Sequence, residues 1–481
     1  MRTKIIAGSV LIALAVNPAT AADINAQGAA ALQESLTGFL PEQVKKSDFL
    51  TVTPAGDRYE ISYDFGKLIG TLGLKDFTVA GLTPFIMAAS PLDNGQWKLN
   101  SDSDVNFSVT GKLPDGKETD VTYSVTDMVF SGIFDPAIAF MRSAEATSGP
   151  IRMVSKSGEE ELEASFAGMN YTLASVDSKT AGAIDFSGKG SFKNFYERIV
   201  APETPEFEVR SESLDFDVGV EGVTATRIRD LMSFILPLIK KDKPSPEEIA
   251  RLKELFRDAM PFFTSLSEKL TFNEFKVVSP FGDFGLGKLD YMLTMTEPNA
   301  STRIGIGARI ESVSAPSGIL PEAYEQLVPD LAEIEIGLAD LNISRFIDVL
   351  MEQDAPRPTN AKDPKDDELT QAVLNDGQLT IDFPKILAKS SIYDVEASGK
   401  VKGYPDQKDR YSLEATIIAG DFDKLIKHVQ EMAKDDPDLN QTSLLMMMAK
   451  GIAKTEPDGR LRWDVRSADG KSLTVNGQVL Q

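Results

Sequence analysis

Leu214-Asp215-Phe216-Asp217-Val218-Gly219-Val220 alternates apolar and polar or small residues without a break. Successive side chains of an extended chain point to opposite faces, so this stretch gives one apolar face and leaves the other for water. The same period recurs along the chain. Ile304-Gly305-Ile306-Gly307-Ala308-Arg309-Ile310 and Ile334-Glu335-Ile336-Gly337-Leu338 repeat it, as do Tyr411-Ser412-Leu413-Glu414-Ala415-Thr416-Ile417 and Leu461-Arg462-Trp463-Asp464-Val465. Earlier examples are Phe107-Ser108-Val109 and Val121-Thr122-Tyr123-Ser124-Val125. Turn signals separate them: Asp93-Asn94-Gly95, Pro114-Asp115-Gly116, Asp376-Gly377, Pro457-Asp458-Gly459 and Asp469-Gly470. Half-buried antiparallel strands have this signature. The expected fold is therefore α+β and β-rich, with large curved antiparallel sheets, short covering helices and one helical hairpin insertion.

At five places an alternating strand runs through a short turn into a brief amphipathic helix. These are residues 59–72, 128–141, 218–235, 334–351 and 415–432. Their uneven spacing excludes a fixed-period solenoid but fits a divergent strand–helix unit. The helical hairpin lies within 225–270. Ile228, Leu231, Met232, Ile235, Leu238 and Ile239 follow the 3.6-residue period. Ser245 and Glu248 then form a capping box, with Pro246 at the first helical position. The second helix is expected to run through Leu252, Leu255, Phe256, Phe263 and Leu266, kinked at Pro261. Its apolar residues exceed the stripe that packing on a sheet requires. Phe256, Phe262 and Phe263 are therefore candidate contacts for a hydrophobic ligand or a partner.

Prolines at 356, 358 and 364 among charged and small residues mark 353–368 as a linker or long loop, and Pro202 and Pro205 suggest a second boundary. The expected organisation is a signal peptide at 1–21, a β-rich region at 22–200 and the hairpin region at 201–275. A second β-rich region at 276–352, the linker at 353–368 and an α+β region at 369–481 complete it.

Arg2 and Lys4, the apolar run from Ile5 to Val16, and Ala19-Thr20-Ala21 together read as a cleavable export signal, cut near Ala21-Ala22. The run is too short to span a bilayer of about 30 Å. A periplasmic protein with no membrane span in the mature chain is expected. With Arg2 and Lys4 removed, 48 basic residues face 73 acidic ones, a net charge of −25. That charge disfavours nucleic acid and anionic membrane surfaces as partners. The chain has no cysteine, so its fold does not rely on disulfides.

Chemistry is sparse. The single histidine, His428, lies on the polar flank of a helix over 421–432, and no Gly-x-Ser-x-Gly elbow occurs. Zinc bound through Cys or His, haem and Cys/His catalysis lack their residues, and no cofactor is assigned. Asp436-Pro437-Asp438-Leu439-Asn440 opens like an EF-hand loop, but Gln441 replaces the required glycine and Met447 the bidentate glutamate. Carboxylate pairs and Ser-Lys chemistry stay open, with no residue singled out. Two tryptophans, Trp97 and Trp463, are few for a sugar-binding groove.

The C-terminal stretch from Gly459 to Val465, followed by Asp469-Gly470-Lys471-Ser472-Leu473-Thr474-Val475-Asn476-Gly477, resembles the ending of exported proteobacterial families of unknown function, the YdgA-like proteins among them. The strand-into-helix units are similar to theirs and, more distantly, to AsmA-like envelope proteins, although no N-terminal anchor would remain here after cleavage. The resemblance implies an envelope role and transfers no catalytic residue. Two functions follow as expectations. One is a non-enzymatic envelope-maintenance protein that binds a lipid, another hydrophobic ligand or an envelope protein. The other is an exported hydrolase using carboxylate or Ser-Lys chemistry.

Overall fold

The computed structural model describes residues 24–480 other than 39, 41, 73–76, 113–116, 239–243, 353–363 and 469. The signal segment 1–21, the turn at 114–116 and residues 353–363 of the expected linker thus lie outside the described residues.

The chain opens with α1 (Ala26–Thr37), α2 (Glu42–Lys45), β1 (Leu50–Ala55), β2 (Arg58–Tyr63) and α3 (Phe65–Leu72). Next come β3 (Phe77–Ala80), β4 (Phe85–Pro91), β5 (Trp97–Lys112) and β6 (Glu118–Asp135). Four shorter strands follow, β7 (Phe140–Ser148), β8 (Ile151–Ser157), β9 (Glu160–Phe166) and β10 (Gly168–Asp177). The long strands β11 (Ile184–Val200) and β12 (Phe207–Val223) lead into α4 (Ala225–Leu238) and α5 (Pro246–Ala259). After these run β13 (Ser265–Ser279), β14 (Gly282–Thr296), β15 (Thr302–Ser314), α6 (Glu322–Glu325) and β16 (Leu331–Leu341). Then come α7 (Ile343–Glu352), α8 (Pro364–Val373), β17 (Leu379–Lys389), β18 (Asp394–Tyr404) and β19 (Gln407–Gly420). The chain closes with α9 (Phe422–Met432), α10 (Leu439–Gly451), β20 (Lys454–Thr455), β21 (Leu461–Ser467), β22 (Thr474–Val475) and β23 (Gln478–Val479).

Among the described residues all 23 strands belong to one sheet, not several. From one edge the order is β1, β2, β4, β5, β6, with every pairing antiparallel. Beyond β6 the sheet is two short strands deep, β7 then β10 along one half and β8 then β9 along the other. The long strand β11 gathers both halves again. From β11 to β19 each strand pairs with the next in sequence, and β21 and β22 extend the far edge. The ladder therefore crosses the positions read as region boundaries. β11 pairs with β12 over Pro202 and Pro205, β13 contains residues 275 and 276, and β16 pairs with β17 across the linker. Residues 364–368 open α8 rather than a loop.

Three helix pairs make long connections between neighbouring strands: α4–α5, α7–α8 and α9–α10. The register puts the first two at one end of the sheet and the third at the other. Arg257 of α5 approaches Asp348 of α7 at 3.5 Å. The capping box forms as read, with the Glu248 backbone N–H donating to Ser245 Oγ at 3.2 Å and the Ser245 N–H to Glu248 Oε2 at 2.8 Å. The helix after it is shorter than its apolar period implied. It ends at Ala259, and the chain turns at Pro261, which has no N–H, to join β13 from Ser265. Four of the five expected strand–helix units form; residues 128–141 instead make the β6–β7 hairpin. There the Asp135 carboxylate accepts the Ala137 N–H at 3.0 Å and fixes a tight turn.

Two compact clusters of buried apolar residues lie near the ends of the sheet. In the first, α1 places Ala29 and Leu32 over Leu50, Val52, Tyr59, Ile61, Ala89 and Leu99. In the second, Ala419, Trp463 and Val475 pack with Phe422 and Leu461. Among the described residues, no helix is long and apolar enough to cross a membrane.

Candidate functional site

Directly paired residues of an antiparallel ladder share a face, so the register decides where each alternating stretch puts its apolar side chains. One row runs Phe216, Leu270, Tyr291, Ala308, Ile334, Ile386, Ala397, Ile417 and Trp463. A second runs Leu214, Phe272, Leu289, Ile310, Ala332, Ala388, Val395, Ala419 and Leu461. Each crosses nine strands, about 38 Å at the usual spacing of about 4.8 Å. The first nine-strand row continues toward β5 and β6 through smaller and aromatic residues, and there Val105 faces Val125 and Phe107 faces Tyr123.

The opposite face is charged and internally paired. Asp217 meets Lys189 at 2.9 Å, and Arg309 binds Glu311 at 2.8 Å and Glu333 at 3.2 Å. Lys385 also reaches Glu333, at 2.9 Å. Asp290, 2% exposed, accepts the Thr271 hydroxyl at 2.6 Å and lies 3.1 and 3.5 Å from Lys269 and Lys288. Burial alone would raise its pKa, but the hydroxyl and the two ammonium groups outweigh it and hold the carboxyl below its ordinary value. Asp135 is held low in the same way by Arg142, Gln96 and the Ala137 N–H against its burial. A 650 Å³ depression on this face is lined by Lys98, Ser131, Glu145, Thr172 and Lys189.

The apolar face is closed at its ends and open between them. Trp463 is 7% exposed, covered by the Phe422 ring in an edge contact 5.4 Å away, and its indole N–H donates to the Ala449 carbonyl at 2.8 Å. In mid-sheet Ile306, Ile334, Ile336 and Leu338 keep 51, 42, 44 and 40% of their surface in water. Phe284, Tyr291 and Val313 are also exposed. Isolated exposed apolar residues are ordinary; a contiguous set on one side of three adjacent strands is not.

The helices α9 and α10 reach from the far edge back toward the β15–β16 connection. The Tyr324 hydroxyl donates to Asp436 at 3.1 Å, and His428 Nε2 lies 2.8 Å from the Ala323 carbonyl. The only histidine thus tethers this helix pair to the segment around α6. Phe256 and Phe262, two of the three expected contact residues, meet edge-to-face with centroids 5.2 Å apart. Phe262 and Phe263 sit in the loop after α5, not on a helix, and all three phenylalanines are half-buried. The open face is a site that reading the sequence missed. Its signal was present in the strands of 304–310 and 334–338, but only the register shows their faces to be joined.

Among the described residues, no group of three or more His, Asp or Glu could hold a metal ion. No protein-family model matches the chain, and no curated protein and no solved structure matches it.

Proposed function

We propose that this chain is a non-enzymatic exported protein of the cell envelope that holds a lipid or another long hydrophobic ligand on the open face of β14–β17. The observation that carries the reading is the exposure of Ile306, Ile334, Ile336 and Leu338 on a face whose two ends are packed. An apolar area of this kind is costly in water and marks a surface meant to be covered. The export signal read at 1–21 and the resemblance of the C-terminal stretch to exported envelope families support the periplasm as the place where it acts.

The test is native mass spectrometry of protein purified from its own periplasm, beside the variant Ile306→Glu/Ile336→Glu. The wild type should carry co-purified lipid and the variant should lose it while retaining its circular dichroism. A wild type free of lipid, and unable to take up lipid from vesicles, would overturn the reading. The alternative of an exported hydrolase draws no specific observation from the described residues.

A further inference from the structure

The ladder between β5 and its neighbours has a gap of an unusual kind. Ala80 of β3 faces Ser108, and Ala88 of β4 faces Asn100, so eight residues separate the two pairs on each chain and the register is unchanged across the gap. β3 and β4 are thus one strand in register, yet residues 81–87 are not paired with 101–107. Residues 85–87 pair with β2 instead. Gly81, at φ +83°, takes a left-handed turn against the Asn106 backbone, where a Cβ would stand 3.3 Å from its carbonyl oxygen, and Pro84 has no N–H to give to a ladder. A cavity of 370 Å³ occupies the opening, lined by Phe65, Leu82, Pro84, Phe85 and Met128 together with Ser103.

Two polar atoms beside this opening have no partner among the described residues. The hydroxyls of Ser101 and Ser103 are buried and unbonded. They lie two residues apart on the apolar side of β5, opposite Phe130 and Met128. Buried hydroxyls are almost always bonded, and each exception calls for an explanation. Asp102 and Asp104 also line the cavity and disfavour an anion there.

We propose that this opening seats the ester end of a single-chain acyl lipid. The Ser101 and Ser103 hydroxyls donate to the ester carbonyl, and the hydrocarbon chain lies against Leu82, Phe85 and Met128 and continues along the face past Val105 and Phe107. Both hydroxyl oxygens are shielded from water, so the carbonyl reaches them when the connection 81–84, free of ladder bonds to β5, moves aside. The neighbouring carboxylates make a neutral ester the preferred ligand over a free fatty acid. This seat lies on β3–β5, at the other end of the apolar face from β14–β17, and goes beyond the proposed function.

Equilibrium dialysis of delipidated full-length protein with mono-oleoylglycerol, oleate and hexadecane tests it. The ester should bind more tightly than oleate. Ser101→Ala/Ser103→Ala should lose at least about ten-fold in affinity for the ester, the value of two lost hydrogen bonds, without weakening hexadecane. The same variant should melt no lower than the wild type, because it removes hydroxyls that bond nothing in the empty protein. Leu82→Trp, which fills the cavity, should exclude both ligands. Undiminished ester binding by the serine variant, equal binding of oleate, or a lower melting temperature for the serine variant would each overturn the proposal. Lipid capture that depends on Ile306 and Ile336 but ignores the serines would sink this seat alone. Failure of the wild type to bind any of the three probes or vesicle lipid would sink the wider reading with it.

Discussion

Arg303 shows how closely the polar face is packed. Its guanidinium makes two bonds to Asp382, each 2.8 Å, and one to Glu335 at 3.0 Å, lying over two glycines of adjacent strands. A Cβ on Gly337 would stand 2.8 Å from Arg303 Cζ, and one on Gly305 would meet its Nη1. The glycines in Ile304-Gly305-Ile306 and Ile336-Gly337-Leu338 thus make room for a cation. The alternation was legible in the sequence; the reason for glycine at the polar positions was not, because Arg303 and Asp382 are 79 residues apart. Gly337→Ala should cost about 1–3 kcal/mol in urea denaturation, and Arg303→Ala in that background should recover part of the loss. A Gly337→Ala variant as stable as the wild type would show that the guanidinium moves aside freely. Asp290 and Asp135 carry a pH dependence. Because both are held below their ordinary pKa when folded, their contribution is present above the unfolded carboxylate value and is lost as pH falls through the folded one. Urea midpoints at pH 7 and pH 3 should therefore converge for wild type and Asp290→Asn. A gap between them that stays constant with pH would contradict the assignment.

At the scale of elements, local rules worked where one element decides its own fate and failed where tertiary pairing intervened. Ser245 and Glu248 announce a helix start, and nothing elsewhere competes for them. Phe262, Phe263 and Leu266 continue the helical period of α5, yet their segment is claimed by β12. The Thr264 N–H donates to the Glu221 carbonyl at 2.7 Å, and Leu266 pairs with Val220. The result brings Phe256 and Phe262 together across the end of α5. Alanine at each should prove non-additive by about 0.5–1.5 kcal/mol in a double-mutant cycle, as expected of an aromatic pair. Additive losses would mean that the rings stabilise the hairpin separately. The helix α9 was legible in the sequence, but the tether of the α9–α10 pair was hidden, since it joins Tyr324 to a carboxylate 112 residues away. Tyr324→Phe should loosen this tether and quicken amide exchange in α10 before other elements. Unchanged exchange there would place the tether elsewhere.

In the whole molecule, alternation predicts that each strand has a wet and a dry face but leaves open which strands are neighbours. Bulges compound the difficulty, since an extra residue reverses the parity on which a sequence reading depends. Such irregularities separate Thr302 from Ile304 and Phe383 from Ile386. The register nevertheless lines the dry faces up over nine strands, a joint property of residues up to about 250 positions apart. Stability should follow the same geography. The clusters of buried apolar side chains lie near the edges, where Leu32, Tyr59 and Ile61 are at most 1% exposed and Trp463 is covered by helices. Mid-sheet strands have ladder bonds on both sides but little cover on the apolar face. Each half-exposed isoleucine there forgoes part of the about 1.5–3 kcal/mol that full burial contributes. In delipidated protein, amides of β15 and β16 should accordingly exchange faster than those of β2 and β21, even though the latter lie nearer the sheet edges. Lipid covering the face should slow β15 and β16 selectively and leave β2 unchanged. Exchange that is slowest in mid-sheet without lipid would mean that the backbone ladder, rather than apolar cover, sets local stability, and the open face would then carry no energetic signature of a missing ligand.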